Sequence, residues 1–182
     1  MKTVTPQERI ALRAGLWAAP LFAGSLLLFG ALTPGFSQLH RAVSRLGSLR
    51  SPWGLWFGFF GFFLPGMLNA VVALILRRRL RAANAGSRWA TGLLVYSLMM
   101  ALTAVPADFV LMFASPWTWA HAFFVLGAPL VLFIVIPGCA KGPKALGASG
   151  GAIATLYVLG YLPIAESLLY VVLPIFPVSL SA

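Results

Sequence analysis

Long apolar stretches, separated by short polar segments, run through the chain. No charged residue lies between Arg13 and Arg41, and this first apolar run ends at Pro34 and Gly35, a pair that stops a helix and starts a turn. A second run ends at the cluster of arginines that begins with Arg77. About 20 consecutive apolar residues are needed for an α-helix to cross a hydrocarbon core. The pattern predicts five membrane-spanning helices, over about 14–33, 53–76, 89–107, 117–137 and 146–165.

The segment 167–180 is the uncertain end of this pattern. As a helix, the sixteen residues of 167–182 would reach only about 24 Å, whereas the hydrocarbon core is roughly 30 Å thick. Pro174 and Pro177 would also interrupt its hydrogen bonds. We therefore predict an all-α, polytopic transmembrane bundle in one domain, 1–182, and leave open whether its end is a half-inserted helix or a short sixth span.

Composition agrees with a membrane protein. Hydrophobic residues make up 60% of the 182 residues and charged residues only 9%, whereas soluble domains carry about 25% charged residues. The composition excludes an ordinary soluble domain. One cysteine, Cys139, excludes an internal disulfide framework and any multi-cysteine metal site, so we predict no metal.

Thirteen Lys and Arg against three acids give a net charge of +10. In a membrane protein, the distribution of such positive charge indicates which loops face the cytoplasm. If the N-terminus is inside, ten of the basic residues face the cytoplasm and three lie outside. We predict a multi-pass protein of the bacterial cytoplasmic membrane with a cytoplasmic N-terminus. Because the inner loops account for most of the positive charge, we expect no nucleic-acid partner.

The first external loop has an amphipathic pattern over about 36–47 that predicts an interfacial helix. Arg41 and Arg45, with Arg50 shortly after it, would hold anionic head groups through forked hydrogen bonds. The alternative is a loop helix on the membrane surface with solvated arginines.

Asp108 and Glu166 fall at the outer ends of predicted spans. Ion pairing with the external arginines would lower the cost of a carboxylate near hydrocarbon, and we expect this structural role. The alternative is an outward-facing polar site in which one carboxylate accepts a proton or orients a substrate.

His121 lies one short turn inside the fourth predicted span. It could contact a pigment or a quinone, or make a hydrogen bond within the bundle, and we predict no cofactor. Ser44, Asp108 and His121 are the candidate catalytic residues, but their spacing matches no known nucleophile motif.

Small residues recur at helical spacing in two spans, where they let helices approach closely in lipid. The predicted packing positions are Gly54, Gly58 and Gly61 in the second span and Gly147 and Gly151 in the fifth.

Several short motifs are distributed over the first three quarters of the chain. They are Leu32-Thr33-Pro34-Gly35-Phe36-Ser37, Val43-Ser44-Arg45-Leu46-Gly47, Pro52 before a long apolar helix, Pro106 with Asp108, and His121. In these the chain resembles the bacterial membrane family called domain of unknown function 998. The resemblance implies a bundle of about six spans with no settled activity. The chain departs from the family pattern at Arg45, where an acid is usual, and at Ser167, where a basic residue is expected after Glu166.

These observations predict a non-catalytic integral membrane protein, either an accessory subunit of a larger membrane complex or a lipid-associated scaffold. Its partners would be membrane lipids and other membrane-protein subunits. An outer-face enzyme acting on a lipid through Asp108, His121 and Ser44 is the alternative. A small-molecule transporter has least support, because the spans carry no charge near their centres and no repeat is visible.

Overall fold

A computed structural model describes residues 5–37, 43–84, 87–111 and 114–131 of the protein. Regular secondary structure in these ranges is entirely helical. The elements are α1 (Pro6–Gly15), α2 (Ala18–Leu32), a 3-10 turn (Val43–Arg45), α3 (Gly54–Phe57), a π-helical segment (Gly58–Phe63), α4 (Leu64–Ala82), α5 (Arg88–Leu102) and α6 (Pro116–Leu130). The prediction of an all-α chain is confirmed for this part of it.

Two continuous helices have the length and apolar composition needed to cross a membrane. The first joins α1 and α2 over Pro6–Leu32, and the second joins α3, the π-helical segment and α4 over Gly54–Ala82. Their 27 and 29 residues correspond to about 40 and 43 Å, more than the roughly 30 Å of a hydrocarbon core. α5 is a shorter apolar helix.

The first long helix begins at a complete capping box. The Thr5 hydroxyl accepts a hydrogen bond from the Glu8 backbone N–H, and the Glu8 carboxylate accepts one from the Thr5 N–H. Pro6 occupies the first turn, where the missing N–H costs nothing. These contacts fix the start of α1.

The second long helix extends beyond its predicted end at 76. It continues through the arginines to Ala82, and Asn84, with φ of 51°, then leaves the helix in the left-handed conformation. Arginine is a good helix former, and cations in the last turn complement the helix dipole. The charge cluster therefore did not mark a helix end, and the bound at 76 was wrong for the helix.

α5 is shorter than its predicted span, 89–107, because it ends at Leu102 before the turn that leads to Pro106. α6 is described as far as Leu130, within the predicted span 117–137. The predicted segments 146–165 and 167–180 lie outside the described residues, as do Glu166, Gly147, Gly151 and Cys139.

In its described parts, 36–37 and 43–47, the predicted interfacial segment is not an α-helix. Residues 38–42 lie outside the described ranges, Phe36 and Ser37 are not helical, and only Val43–Arg45 form one 3-10 turn. Val43 and Leu46 are buried in the protein core, at 9% and 0% exposure. Their apolar side chains are covered by the chain's own helices, which removes the need for a lipid-facing helix there.

α4 is central to the packing because it contacts α1, α2 and α5, and α5 in turn contacts α6. The core includes Phe22 of α2, Phe57 of α3, Phe62 of the π-helical segment and Tyr96 of α5. Phe57 and Phe62 meet edge to face with ring centroids 5.3 Å apart. This core holds the loop between α2 and α3 against the turn that follows α5.

Candidate functional site

Three segments meet at the end of the bundle where the predicted external loop lies. The Leu49 N–H donates to the Ala107 carbonyl oxygen over 3.0 Å, which joins the loop before α3 to the segment after α5. The Asp108 N–H donates to the Thr118 hydroxyl, and that hydroxyl donates to the Asp108 carbonyl oxygen. These bonds place residues from the loop, from the turn after α5 and from α6 side by side.

Asp108 is buried at this junction, with 8% exposure. Its Oδ1 accepts hydrogen bonds from the backbone N–H groups of Val110 at 2.9 Å and Leu111 at 3.2 Å. These two bonds, with a smaller contribution from Arg50, hold the pKa of the Asp108 carboxyl below its usual value. The carboxylate therefore closes a local turn, and it is a poor proton acceptor at neutral pH.

Two of the three predicted arginines lie in the described loop. Arg50 Nε is 3.9 Å from Asp108 Oδ1, at the outer limit for an ion pair, and its side chain is 65% exposed. The Arg45 guanidinium lies 5.7 Å from the centroid of the Phe109 ring, a cation–π distance. Arg41 is outside the described residues. Both described arginines thus contact the segment after α5.

His121 is buried in α6, with 5% exposure. Its Nδ1–H donates to the Val105 carbonyl oxygen over 2.7 Å, which leaves the lone pair on Nε2. Nε2 has no hydrogen-bond partner in the described part of the chain. The bond to Val105 agrees with a role of His121 within the bundle, and the free Nε2 is the atom that would contact a ligand.

The three candidate catalytic residues do not form a triad. The His121 Nδ1 is bonded to a backbone carbonyl, the Asp108 Oδ1 to two backbone N–H groups, and no hydrogen bond joins either residue to Ser44. A triad requires the acid to orient the histidine and the histidine to reach the nucleophile. Neither connection is present between these residues.

The predicted glycines of the second span are all buried, but they serve different contacts. A Cβ on Gly54 would meet the Ser48 backbone, and one on Gly58 would lie 3.0 Å from the Ala104 carbonyl oxygen. A Cβ on Gly61 would meet the ring of Phe57 in its own helix. These glycines therefore make room for neighbours within the same chain.

At Gly66, a position that the sequence analysis did not select, one helix closely approaches the backbone of another. A Cβ on Gly66 would lie 2.5 Å from the Ala101 backbone nitrogen and 2.7 Å from its Cα. Gly66 therefore lies where α4 and α5 come into close backbone contact, and the buried Ala70 and Ala73, four and seven residues on, were the spacing that could have indicated this.

The opposite end of the bundle contains an ion pair that sequence reasoning also missed. Arg79 Nη2 lies 2.6 Å from Glu8 Oε2, and this contact joins the start of α1 to the end of α4. The hydrogen bond from Arg79 and those from Thr5 lower the pKa of Glu8 to about 2. Glu8 is the only acid before the first apolar run, and this feature of the sequence could have indicated an ion pair with one of the arginines.

Comparison with family models, curated proteins and solved structures finds no match to this chain. The resemblance to domain of unknown function 998 therefore stays a prediction.

Proposed function

We propose that this protein is a non-catalytic integral membrane protein that serves as an accessory subunit of a larger membrane complex or as a lipid-associated scaffold. The proposal rests chiefly on one observation, the apolar surface of the second long helix. From Trp56 onward, its large exposed apolar side chains recur at intervals of three or four residues, as a single helix face requires. They are Trp56, Phe59, Phe63, Met67, Val71 and Leu74.

This exposed stripe ends where charge begins. From Trp56 to Leu74 it covers about 27 Å, close to the roughly 30 Å thickness of a hydrocarbon core. The next residue on the same face is Arg78, which is exposed. The opposite face, which includes Gly66, Ala73 and Leu76, is buried against other helices. A helix whose buried face and exposed face are both apolar is typical of a membrane span.

The finer topology is part of the same proposal. The arginines at the end of α4 lie at the cytoplasmic side and the loop that contains Arg45 and Arg50 lies outside, as the distribution of positive charge favours. We propose five spans in a bacterial cytoplasmic membrane, with the N-terminus inside.

A structural role is also favoured by the contacts of the polar groups. The Asp108 carboxylate closes a turn, and His121 Nδ1–H is bonded to Val105. The alternative, an outer-face enzyme, would need Asp108, His121 and Ser44 to act together, and the separate hydrogen bonds of these residues do not favour that.

Native mass spectrometry tests the proposal on protein extracted from its own membrane in a mild detergent. We expect stoichiometric co-purification of other membrane subunits or of a defined lipid. An absorbance spectrum of the same sample tests His121: a pigment or quinone band that His121→Ala removes would show a ligand at Nε2. A chain that leaves the membrane in alkaline carbonate, or that purifies alone without subunit or lipid, would contradict the proposed function.

A further inference from the structure

Positive charge is concentrated at the end of the bundle where α1 and α5 begin and α4 ends. The Glu8–Arg79 ion pair holds the first turn of α1 beside the last turns of α4, and five residues separate the end of α4 from the start of α5. Glu8 is the only acid that the described residues contribute here. The arginines at this end are Arg9, Arg13, Arg77, Arg78, Arg79, Arg81 and Arg88.

The N-terminus of α5 lies within this basic region. A helix N-terminus presents unpaired N–H groups and the positive end of the helix dipole, which together favour an anion. Ser87 precedes the helix, but its side chain makes no capping hydrogen bond. α5 therefore begins without the side-chain acceptor that normally satisfies these donors.

Trp89 adds an independent observation at the same point. It is the second residue of α5 and is 7% exposed, and its Nε1–H has no hydrogen-bond partner in the ranges described. Trp89 belongs to the buried core, and side chains in an α-helix tilt in general toward the N-terminus of the helix, which in α5 is the uncapped end. A buried indole N–H normally has a hydrogen-bond acceptor.

Arg77 supplies a second buried donor at the same level. Its Nε is buried and has no partner in the described part of the protein. The close approach of Gly66 to Ala101 fixes the antiparallel register of α4 and α5. Equal numbers of residues separate Gly66 from Arg77 and Ala101 from Ala90, so Arg77 lies level with the first turn of α5.

We propose that this end of the α4–α5 hairpin binds the phosphate of an anionic phospholipid, which accepts hydrogen bonds from Trp89 Nε1–H and Arg77 Nε–H at the N-terminus of α5. The inference rests on the proposed membrane function and names a lipid class and its site. Charge complementarity selects an anionic head group, because positive charge exceeds negative charge at this end. The exposed apolar stripe that ends at Leu74 provides a surface for the acyl chains.

Native mass spectrometry of the purified full chain, in detergent with added lipid, tests the site. The probes are phosphatidylglycerol and phosphatidylcholine with the same acyl chains, and soluble glycerol 3-phosphate is the competitor. We expect the protein to retain phosphatidylglycerol preferentially. Trp89→Phe keeps the aromatic ring and removes the N–H, and should weaken phosphatidylglycerol binding about tenfold, the effect of one hydrogen bond to a charged group.

Matched variants separate the site from general effects. Arg77→Gln should weaken phosphatidylglycerol binding like Trp89→Phe, whereas Trp117→Phe, an exposed position at the start of α6 near the other end of the bundle, should leave it unchanged. If Arg77→Gln does not fold, Arg77→Lys provides a second test. It keeps the charge and removes the Nε–H, so it should also weaken phosphatidylglycerol binding.

Three results would overturn the inference. They are equal retention of the two lipids by the parent protein, unchanged phosphatidylglycerol binding by Trp89→Phe, and full displacement by glycerol 3-phosphate, which would indicate a soluble phosphate ligand. A protein that resists carbonate extraction but shows no lipid preference would contradict this inference alone. A protein that carbonate extracts would contradict the proposed membrane function itself.

Discussion

Gly66→Ala should loosen the contact between α4 and α5. The added Cβ would lie 2.5 to 2.8 Å from the nitrogen, Cα and Cβ of Ala101, whereas carbon atoms in contact normally lie 3.5 to 4.0 Å apart. All three Ala101 atoms are fixed to the backbone, so the two helices must separate locally by about 1 Å.

The expected cost follows from two opposing effects. Overpacking costs about 1–3 kcal/mol, and the upper value applies because no flexible side chain can move away. Alanine returns about 1 kcal/mol through its higher helix propensity. The free energy of unfolding should therefore fall by about 2 kcal/mol, which corresponds to roughly 4–8 °C in a chain of this size.

Thermal unfolding of the detergent-solubilised protein measures this effect, and Gly24→Ala is the matched control. A Cβ on Gly24 would meet no atom within 4 Å, so that variant should gain up to about 1 kcal/mol from helix propensity alone. If Gly66→Ala raises the midpoint as much as Gly24→Ala does, the close approach of the two helices is refuted.

Three further predictions concern the ionisable side chains. Glu8→Gln should unfold at a lower temperature than the parent at pH 7, and this difference should disappear as the pH falls from about 4.5 toward 2. Because the pKa of Glu8 is lowered in the folded protein, its carboxylate stabilises the fold above that pH range and not below it. A pH-independent difference in thermal midpoint would contradict this. Asp108→Ala should destabilise the protein more than Asp108→Asn, because asparagine keeps an oxygen that accepts from the N–H groups of Val110 and Leu111; equal midpoints for the two variants would count against the turn. His121→Phe should lower the midpoint, since it leaves the Val105 carbonyl without its donor, and an unchanged midpoint would show that this bond contributes little.

Sequence reasoning predicted the class of fold because long apolar runs determine it. It placed helix bounds less well, as Arg77 shows. An arginine side chain does not end a helix, because its backbone keeps its hydrogen bonds, and α4 continues through the charge cluster to Ala82.

The amphipathic segment 36–47 illustrates a different limit. Its apolar positions predicted a helix at the membrane interface, but periodicity does not reveal which surface those side chains contact. Val43 and Leu46 pack into the chain's own core, because the loop is held against the segment after α5 by the bond from Leu49 to Ala107. Tertiary contacts of this kind leave no local pattern.

The candidate site was likewise predictable only in part. Asp108 was expected near an external arginine, and Arg50 Nε lies 3.9 Å from it. Its main partners, the backbone N–H groups of Val110 and Leu111, depend on a turn geometry that residue types alone do not fix. The spacing of Gly66 and Ala70 could have indicated a packing position, but which helix approaches Gly66 depends on the register between α4 and α5.

Cysteine accessibility in intact cells tests the central claim most directly, that the chain crosses the membrane with its basic end inside. Pro52→Cys and Ala83→Cys place single thiols at exposed positions at the two ends of the second long helix, in a background in which Cys139 is replaced by alanine. A membrane-impermeant maleimide should label Pro52→Cys in intact cells and Ala83→Cys only after permeabilisation. Equal labelling of both variants in intact cells, or labelling of Ala83→Cys alone, would contradict the proposed topology.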